Sequence, residues 1–241
     1  MPDAARSRLL SPAMLAGFGE TLVVAPHPDD ESLGCGGALA SLAWLGLTPR
    51  VLVMSDGRGS HPRSRCYPAP RLRALRERET RKALAILGVP PVRVWFRRLP
   101  DCGVPRRGEA GFGAEVVRLR RCLRHWRPTT LLLPWRRDHH RDHAASWQLV
   151  DAALSILQPR PRCLEYLIWS RERADLPRPG EARHWRLPIR RMVPRKRAAV
   201  GAHRSQLGEL IPDDPGGFRL TAADLARLVQ PEERYLEVPR G

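Results

Sequence analysis

Two short runs hold most of the residues able to do chemistry. The first is Pro26-His27-Pro28-Asp29-Asp30-Glu31, and the second is Asp138-His139-His140-Arg141-Asp142-His143. Neutral imidazole and carboxylate are what a divalent metal takes where thiolates are lacking. A catalytic zinc keeps three protein ligands and an open position for water. His27 and Asp30 stand three apart, so on a helix they share a face and Asp29 points elsewhere. That spacing divides the labour. His27 and Asp30 coordinate, His143 completes the set, and Asp29 stays free to take a proton from the attacking water. His140, three residues before His143, can stabilise an oxyanion or protonate a leaving amine, with Asp142 or Asp138 to orient it. Either run alone also reads as a solvated turn, because acidic residues favour helix N-termini. Both together, each behind a strand, point to a site.

The elements that must carry these runs follow from the apolar pattern. Leu22–Ala25 is a short apolar run stopped by Pro26, and Val51–Met54, Val92–Phe96, Thr129–Leu133 and Cys163–Trp169 read as further strands. Between them lie helical patterns: Ala38–Leu47 after a glycine-broken stretch at 34–37, Arg71–Leu87, one through Val116–Leu123, and Ala144–Leu157. Strand alternating with helix predicts an α/β fold, a Rossmann-like open, mostly parallel sheet with helices on both faces. Ligands in such sheets bind beyond the carboxyl ends of the strands, at the point where strand order reverses, so the two runs should converge. Residues 1–19 read as an N-terminal lead-in and 20–241 as one domain. Beyond residue 170 the pattern weakens, with a strand expected at Trp185–Ile189, a helix over Lys196–Leu207, and a helix start capped by Thr221. The loops at 58–70, 100–113 and 170–183 are the expected substrate determinants.

The composition is that of a folded protein, 42% apolar and 28% charged. The formal net charge of +17 favours anionic ligands. The basic residues are nearly all Arg, scattered along the chain with no dense basic arm, so the charge does not by itself indicate a nucleic-acid partner. The five cysteines, Cys35, Cys66, Cys102, Cys122 and Cys163, form no C-x-x-C pair. That excludes a disulfide framework and a thiolate zinc site, and fits reduced thiols in a cytoplasm. No apolar run is long enough to span a bilayer.

With those residues in view, Ala25-Pro26-His27-Pro28-Asp29-Asp30-Glu31 resembles the first signature of the PIG-L/LmbE-like deacetylases. Asp138, His140, Asp142 and His143 resemble the second, Asp-x-His-x-Asp-His. Two weaker echoes are Arg76-x-x-Glu79 and Lys196 followed by His203 and Ser205-Gln206. The resemblance spans roughly residues 20–207. It implies removal of an N-acyl group from an amino-sugar-containing substrate, free or on a glycolipid or other glycoconjugate. It also implies one Zn2+ per chain, for which Fe2+ is an alternative. His27, Asp30 and His143 are the implied ligands, Asp29 the base, His140 the oxyanion stabiliser or acid, Asp142 its modulator, and Asp101 a contact to sugar hydroxyls. Two positions depart from the pattern, Arg58 and Arg141. Both add positive charge near the expected mouth and suggest an anionic substrate. A hydrolase of a non-sugar amide, a basic nucleic-acid-binding protein with a decayed site, and a structural metal site are the competing readings.

Overall fold

The computed structural model describes residues 7–169, 176–178 and 180–239. The expected determinant loop at 170–183 therefore falls largely outside the described residues. Eight strands form one sheet: β1 (Arg8–Leu9), β2 (Thr21–Ala25), β3 (Arg50–Ser55), β4 (Val94–Leu99), β5 (Thr130–Pro134), β6 (Arg162–Tyr166), β7 (Arg183–Pro188) and β8 (Glu232–Glu237). Their order is β1-β7-β8-β6-β5-β2-β3-β4. Only the pairings of β8 with β6 and β7 are antiparallel. The helices are α1 (Pro12–Ala16), α2 (Asp30–Trp44), α3 (Ala69–Ile86), α4 (Phe112–Trp126), α5 (Arg141–Leu154), α6 (Val193–Gly201) and α7 (Ala222–Leu228).

The central strands β2 and β5 are buried along their whole length, as continuous apolar runs in a parallel sheet should be. Of three apolar clusters, the two large ones flank the sheet, one on each face, and a small third one joins Leu72, Leu75 and Ile211. Val23, Val51 and Val53 face α2 with Leu33, Leu39 and Leu42. Leu22, Val24, Leu52 and Leu131 face α4 and α5 with Leu119, Leu123 and Leu149. The segment before residue 20 joins this body: Arg8 and Leu9 pair with β7, and Leu10, Leu15 and Phe18 lie in the first cluster.

The structure corrects several sequence expectations. The glycine-rich stretch at 34–37 is helix interior, and α2 begins at Asp30. Glycine in a helix weakens it by about 1 kcal/mol, but here close packing demands it. A Cβ on Gly34 would lie 2.4 Å from the Tyr166 ring, and one on Gly37 would lie 2.5 Å from Ile189 Cδ1. Val92 sits in a 3-10 turn at Pro91–Arg93 rather than in β4, because two consecutive prolines precede it. The expected helix over 196–207 ends at Gly201, and a 3-10 turn, Arg204–Gln206, follows. The sequence reading missed β8. Its Glu233 carboxylate takes the Gly37 and Ala38 amides and Lys196 Nζ at 2.7–2.8 Å, tying β8 to α2 and α6. Thr221 does cap α7, in a reciprocal capping box with Asp224.

Candidate metal centre and active site

Strands β2 and β5 are neighbours, yet the chain leaves them toward opposite edges of the sheet, with β3 and β4 on one side and β6 on the other. A crevice opens at their carboxyl ends. The first run turns out of β2 and enters α2 at Asp30. The second leaves β5 and enters α5 at Arg141. The loop after β4 closes a third side with Asp101 and Cys102.

At the centre, Asp30 Oδ2 lies 3.2 Å from His27 Nδ1 and 3.2 Å from His143 Nε2. Ligand atoms bound tetrahedrally at the usual zinc distances sit about 3.3 Å apart, and Asp30 Oδ2 stands at about that spacing from each of the two nitrogens. His143 is fully buried, and neither of its ring nitrogens makes a hydrogen bond of good geometry, although carboxylates stand beside both. A buried imidazole aimed at a carboxylate without bonding it fits a ligand waiting on a common partner. Two groupings have all their ligand atoms within 4.8 Å of one another, His27 with His140 and His143, and His27 with Asp101 and Asp142. Asp30 belongs to neither, although its Oδ2 stands 3.2 Å from a nitrogen of both His27 and His143. The donor chemistry of both fits a divalent first-row metal.

The protein's own charges favour a cation here. Burial opposes charging His143, but Asp30 and Asp138 outweigh it and lift its pKa to about 9. Burial likewise opposes charging His27, and Asp101, Asp142 and Asp30 together raise it well above the ordinary imidazole value. The Asp30 carboxyl is depressed: burial raises it, and His143 and His27 lower it further.

Asp29 stands next to this centre in a conformation that side chains rarely adopt, with φ at 138°. Such strain costs about 1–3 kcal/mol and persists only where the surroundings enforce it. Arg76, buried on α3, is one enforcer. Its guanidinium donates to Pro28 O at 2.5 Å, Asp29 Oδ2 at 3.1 Å and Gly57 O at 2.9 Å. Burial pushes the Asp29 carboxyl up to about 7, against the pull of Arg76 and with the push of Asp30. The weak Arg76-x-x-Glu79 echo was the only sequence signal for this contact.

His140 caps α5. Its Nδ1 accepts the Asp142 amide at 3.2 Å, which leaves the proton on Nε2 and makes the ring a donor. Burial, helped by His27 and His143, lowers its pKa to about 4, so it is neutral at pH 7. The orienting carboxylates differ from expectation. Asp142 reaches His27 Nε2 at 3.2 Å and accepts the Cys102 amide at 2.7 Å, so its side chain serves His27 and not the His140 ring. Asp138 lies 3.4 Å from His143 Nδ1 and holds only the backbone amide of His140.

The three expected substrate contacts fare differently. Asp101 faces the centre, 3.3 Å from His27 Nε2, and accepts the Gly59 amide at 2.9 Å. Arg58 is exposed at the rim, with Nε 3.3 Å from Asp56. Arg141 is engaged: it pairs with Glu109 at 2.6 Å and donates to Cys102 O at 3.2 Å, bracing the 102–109 loop. His61 is packed under Gly217, and His139 is exposed.

A Rossmann-like sheet with a His/Asp cluster able to hold a metal at its switch point defines a class of hydrolytic and related enzymes. Residues 22–154 match the model of the PIG-L family, GlcNAc-PI de-N-acetylase, and the chain belongs to that family. Over 198 residues it is 25% identical to a probable N-acetyl-alpha-D-glucosaminyl L-malate deacetylase 2 of Bacillus anthracis, covering 80% of this chain and 83% of that one. Among solved structures, the zinc-inhibited form of teicoplanin deacetylase Orf2 superposes with a TM-score of 0.66 at 18% identity, over 92% of this chain and 98% of its own. The 4-carboxy-2-hydroxymuconate hydratase of Pseudomonas putida KT2440 superposes with a TM-score of 0.65 at 20% identity, again over 92% and 98%. One fold thus carries two reaction types, and the fold alone does not choose between them.

Proposed function

We propose that this chain is a metal-dependent N-deacetylase that removes an acetyl or other short acyl group from an amino-sugar-containing substrate. The observation that carries the reading is the Asp30 oxygen shared by His27 and His143, with the strained, Arg76-held Asp29 directly beside it. Membership of a de-N-acetylase family and likeness to a glucosaminyl malate deacetylase support amide hydrolysis over hydration. His27, Asp30 and His143 would hold the ion, zinc by preference, with iron(II) also suited to two imidazoles and a carboxylate. Bound there, the ion supplies Lewis acidity, which makes water nucleophilic near neutral pH and polarises the amide carbonyl.

The chain's own groups do the rest. Ionised Asp29 takes the proton as water adds to the carbonyl carbon, and it returns the proton to nitrogen as the C–N bond breaks. The products are the amine and the free carboxylic acid. His140, neutral and protonated on Nε2, donates a hydrogen bond to the oxygen on which charge develops. Asp142 and Asp101 orient the His27 ring, and Asp138 stands 3.4 Å behind that of His143. Asp101 also offers an acceptor to sugar hydroxyls. Arg58, exposed at the rim and in contact with Asp56 through Nε, suits an anionic aglycone better than Arg141, whose two terminal nitrogens both donate to Glu109. Among the described residues the cysteines are all free thiols, which suits the cytoplasm, and no helix is long and apolar enough to cross a membrane.

The deciding measurement is metal content of the purified chain paired with acetate release from N-acetylglucosamine derivatives, before and after chelation. About one metal per chain, with release abolished by chelator and restored by zinc, is the expected result. Failure to take up any divalent metal would overturn the proposal.

A further inference from the structure

The two weak sequence echoes, Arg76-x-x-Glu79 and His203-x-Ser205-Gln206, are absorbed by none of the steps above except the contact from Arg76. In the structure they meet. Arg76 and Glu79 stand three apart on α3 and so share a face. Glu79 accepts the Ser205 amide at 2.8 Å and the Ser205 hydroxyl at 2.6 Å. That contact anchors the turn after α6 and presents His203, whose Nε2 lies 3.1 Å from Glu31 Oε1. The Ser32 hydroxyl donates to the same oxygen at 2.8 Å. The other oxygen of Glu31 accepts the backbone amide of Asp29 at 3.0 Å. Glu31, Glu79, His203 and Ser205 are all buried.

The peptide at Asp29 is therefore gripped from two directions. Arg76 holds the carbonyl before it and the carboxylate, while Glu31 holds its N–H. A residue at φ 138° relaxes unless both sides are fixed. Among the described residues, neither His203 nor Ser205 makes a hydrogen bond to His27, Asp30 or His143; their bonds with side chains are to Glu31, Ser32, Glu79 and Gln206.

We infer that Glu31 and His203 are positioning residues that hold Asp29 in its strained conformation, with α3 as the common anchor through Arg76 and Glu79. This rests on the reading of Asp29 as the base. It assigns a task to a glutamate beside two catalytic aspartates and to a histidine more than 170 residues away.

The test uses the full-length chain. In His203→Ala, kcat should fall about 10–100-fold, the range seen when a supporting hydrogen bond behind a functional group is lost. KM and metal stoichiometry should stay at wild-type values. In the metal-free protein, hydrogen exchange at the Asp29 amide should accelerate at least about tenfold, while amides in β2 keep their protection. His203→Gln, whose side-chain amide can donate to Glu31, should recover most of kcat; a merely space-filling role would give no such rescue. Should His203→Ala not fold, Ser205→Ala carries the same test with a smaller expected loss. Unchanged kcat, unchanged exchange at Asp29, or a loss that tracks metal content and is not rescued by Gln would overturn the inference. Asp29→Asn, measured in parallel, separates two failures. If it keeps full activity, the base assignment falls and the clamp with it. If it is inactive while His203→Ala is fully active, only the clamp falls.

Discussion

The inner and outer halves of this crevice are built differently. The inner half, with His27, Asp29, Asp30 and His143, sits where two buried central strands run directly into two helices. Every one of these side chains is buried and stands beside at least one charged or polar partner. The outer half, with Arg58 and Asp101 on loops and Arg141 at the first position of α5, is held by contacts that these segments make with one another. Gly59 leans on Asp101, Arg141 on Glu109 and the 102–104 backbone, and Asp142 on the Cys102 amide. A position on a strand-to-helix junction has its direction set by the sheet. A position on a loop has its direction set by whichever partner the neighbouring loop offers. Reaction type should therefore reside in the inner half and substrate choice in the outer.

The largest effect that would break this division concerns Asp29 and Asp30, adjacent in sequence and opposite in role. Asp29→Asn should keep its metal and lose about 10²–10⁴-fold in kcat, the usual worth of a positioned base. Asp30→Asn should lose the metal as well. Metal analysis with steady-state kinetics reads both, and equal metal loss in the two variants would erase the distinction. Next comes His140→Ala, expected to retain metal and to lose about 10²–10³-fold in kcat for want of one oxyanion donor. Loss of metal there would instead promote the three-histidine grouping to the ligand set.

A pH profile sharpens the picture of Asp29. Its pKa is raised, so the ionised base is present above that value and activity falls as pH drops through it. Arg76 and any bound cation pull the value down from about 7. Arg76→Met should therefore move the acidic limb of kcat/KM to higher pH. A limb that stays put would show that Arg76 has no electrostatic hold on the base. His140, at about 4, stays neutral throughout that range. The smallest effects belong to the rim. Arg58→Ala should raise KM for an anionic substrate with little change in kcat, and Arg141→Ala should change both less, because Glu109 already satisfies that guanidinium. A larger KM effect at Arg141 than at Arg58 would reverse the assignment.

The parts of the site that were legible in sequence were those whose chemistry is local. Spacing within each run separates Asp29 from Asp30 and pairs His140 with His143, although His27 precedes α2 and His140 is the N-cap of α5, so these contacts are made across helix starts and not along a helical face. The strand that precedes each run placed both at one end of a parallel sheet. The orienting partners were not legible. Asp142 serves His27 across a separation of 115 residues, and its own neighbour His140 is held by a backbone amide instead. The glycines at 34–37 looked like a break and are helix, since only the Tyr166 ring and the Ile189 side chain, from distant segments, explain why no Cβ fits. The strand β8 was missed because its Glu-Glu-Arg start hides the alternation that marks a strand, and Glu233 is buried only by virtue of Lys196 and α2.

By itself, then, the sequence determined the alternating α/β class, the two His/Asp runs and the family to which they belong, all of which depend on short-range periodicity and residue type. Tertiary structure alone decided which carboxylate steadies which histidine, that Arg141 is paired with Glu109 on both terminal nitrogens while Arg58 meets Asp56 through Nε, and that Arg76 and Glu31 grip the Asp29 peptide from two sides. Those are contacts between segments far apart in the chain, and only the packing of helices on the sheet brings their partners within hydrogen-bonding reach.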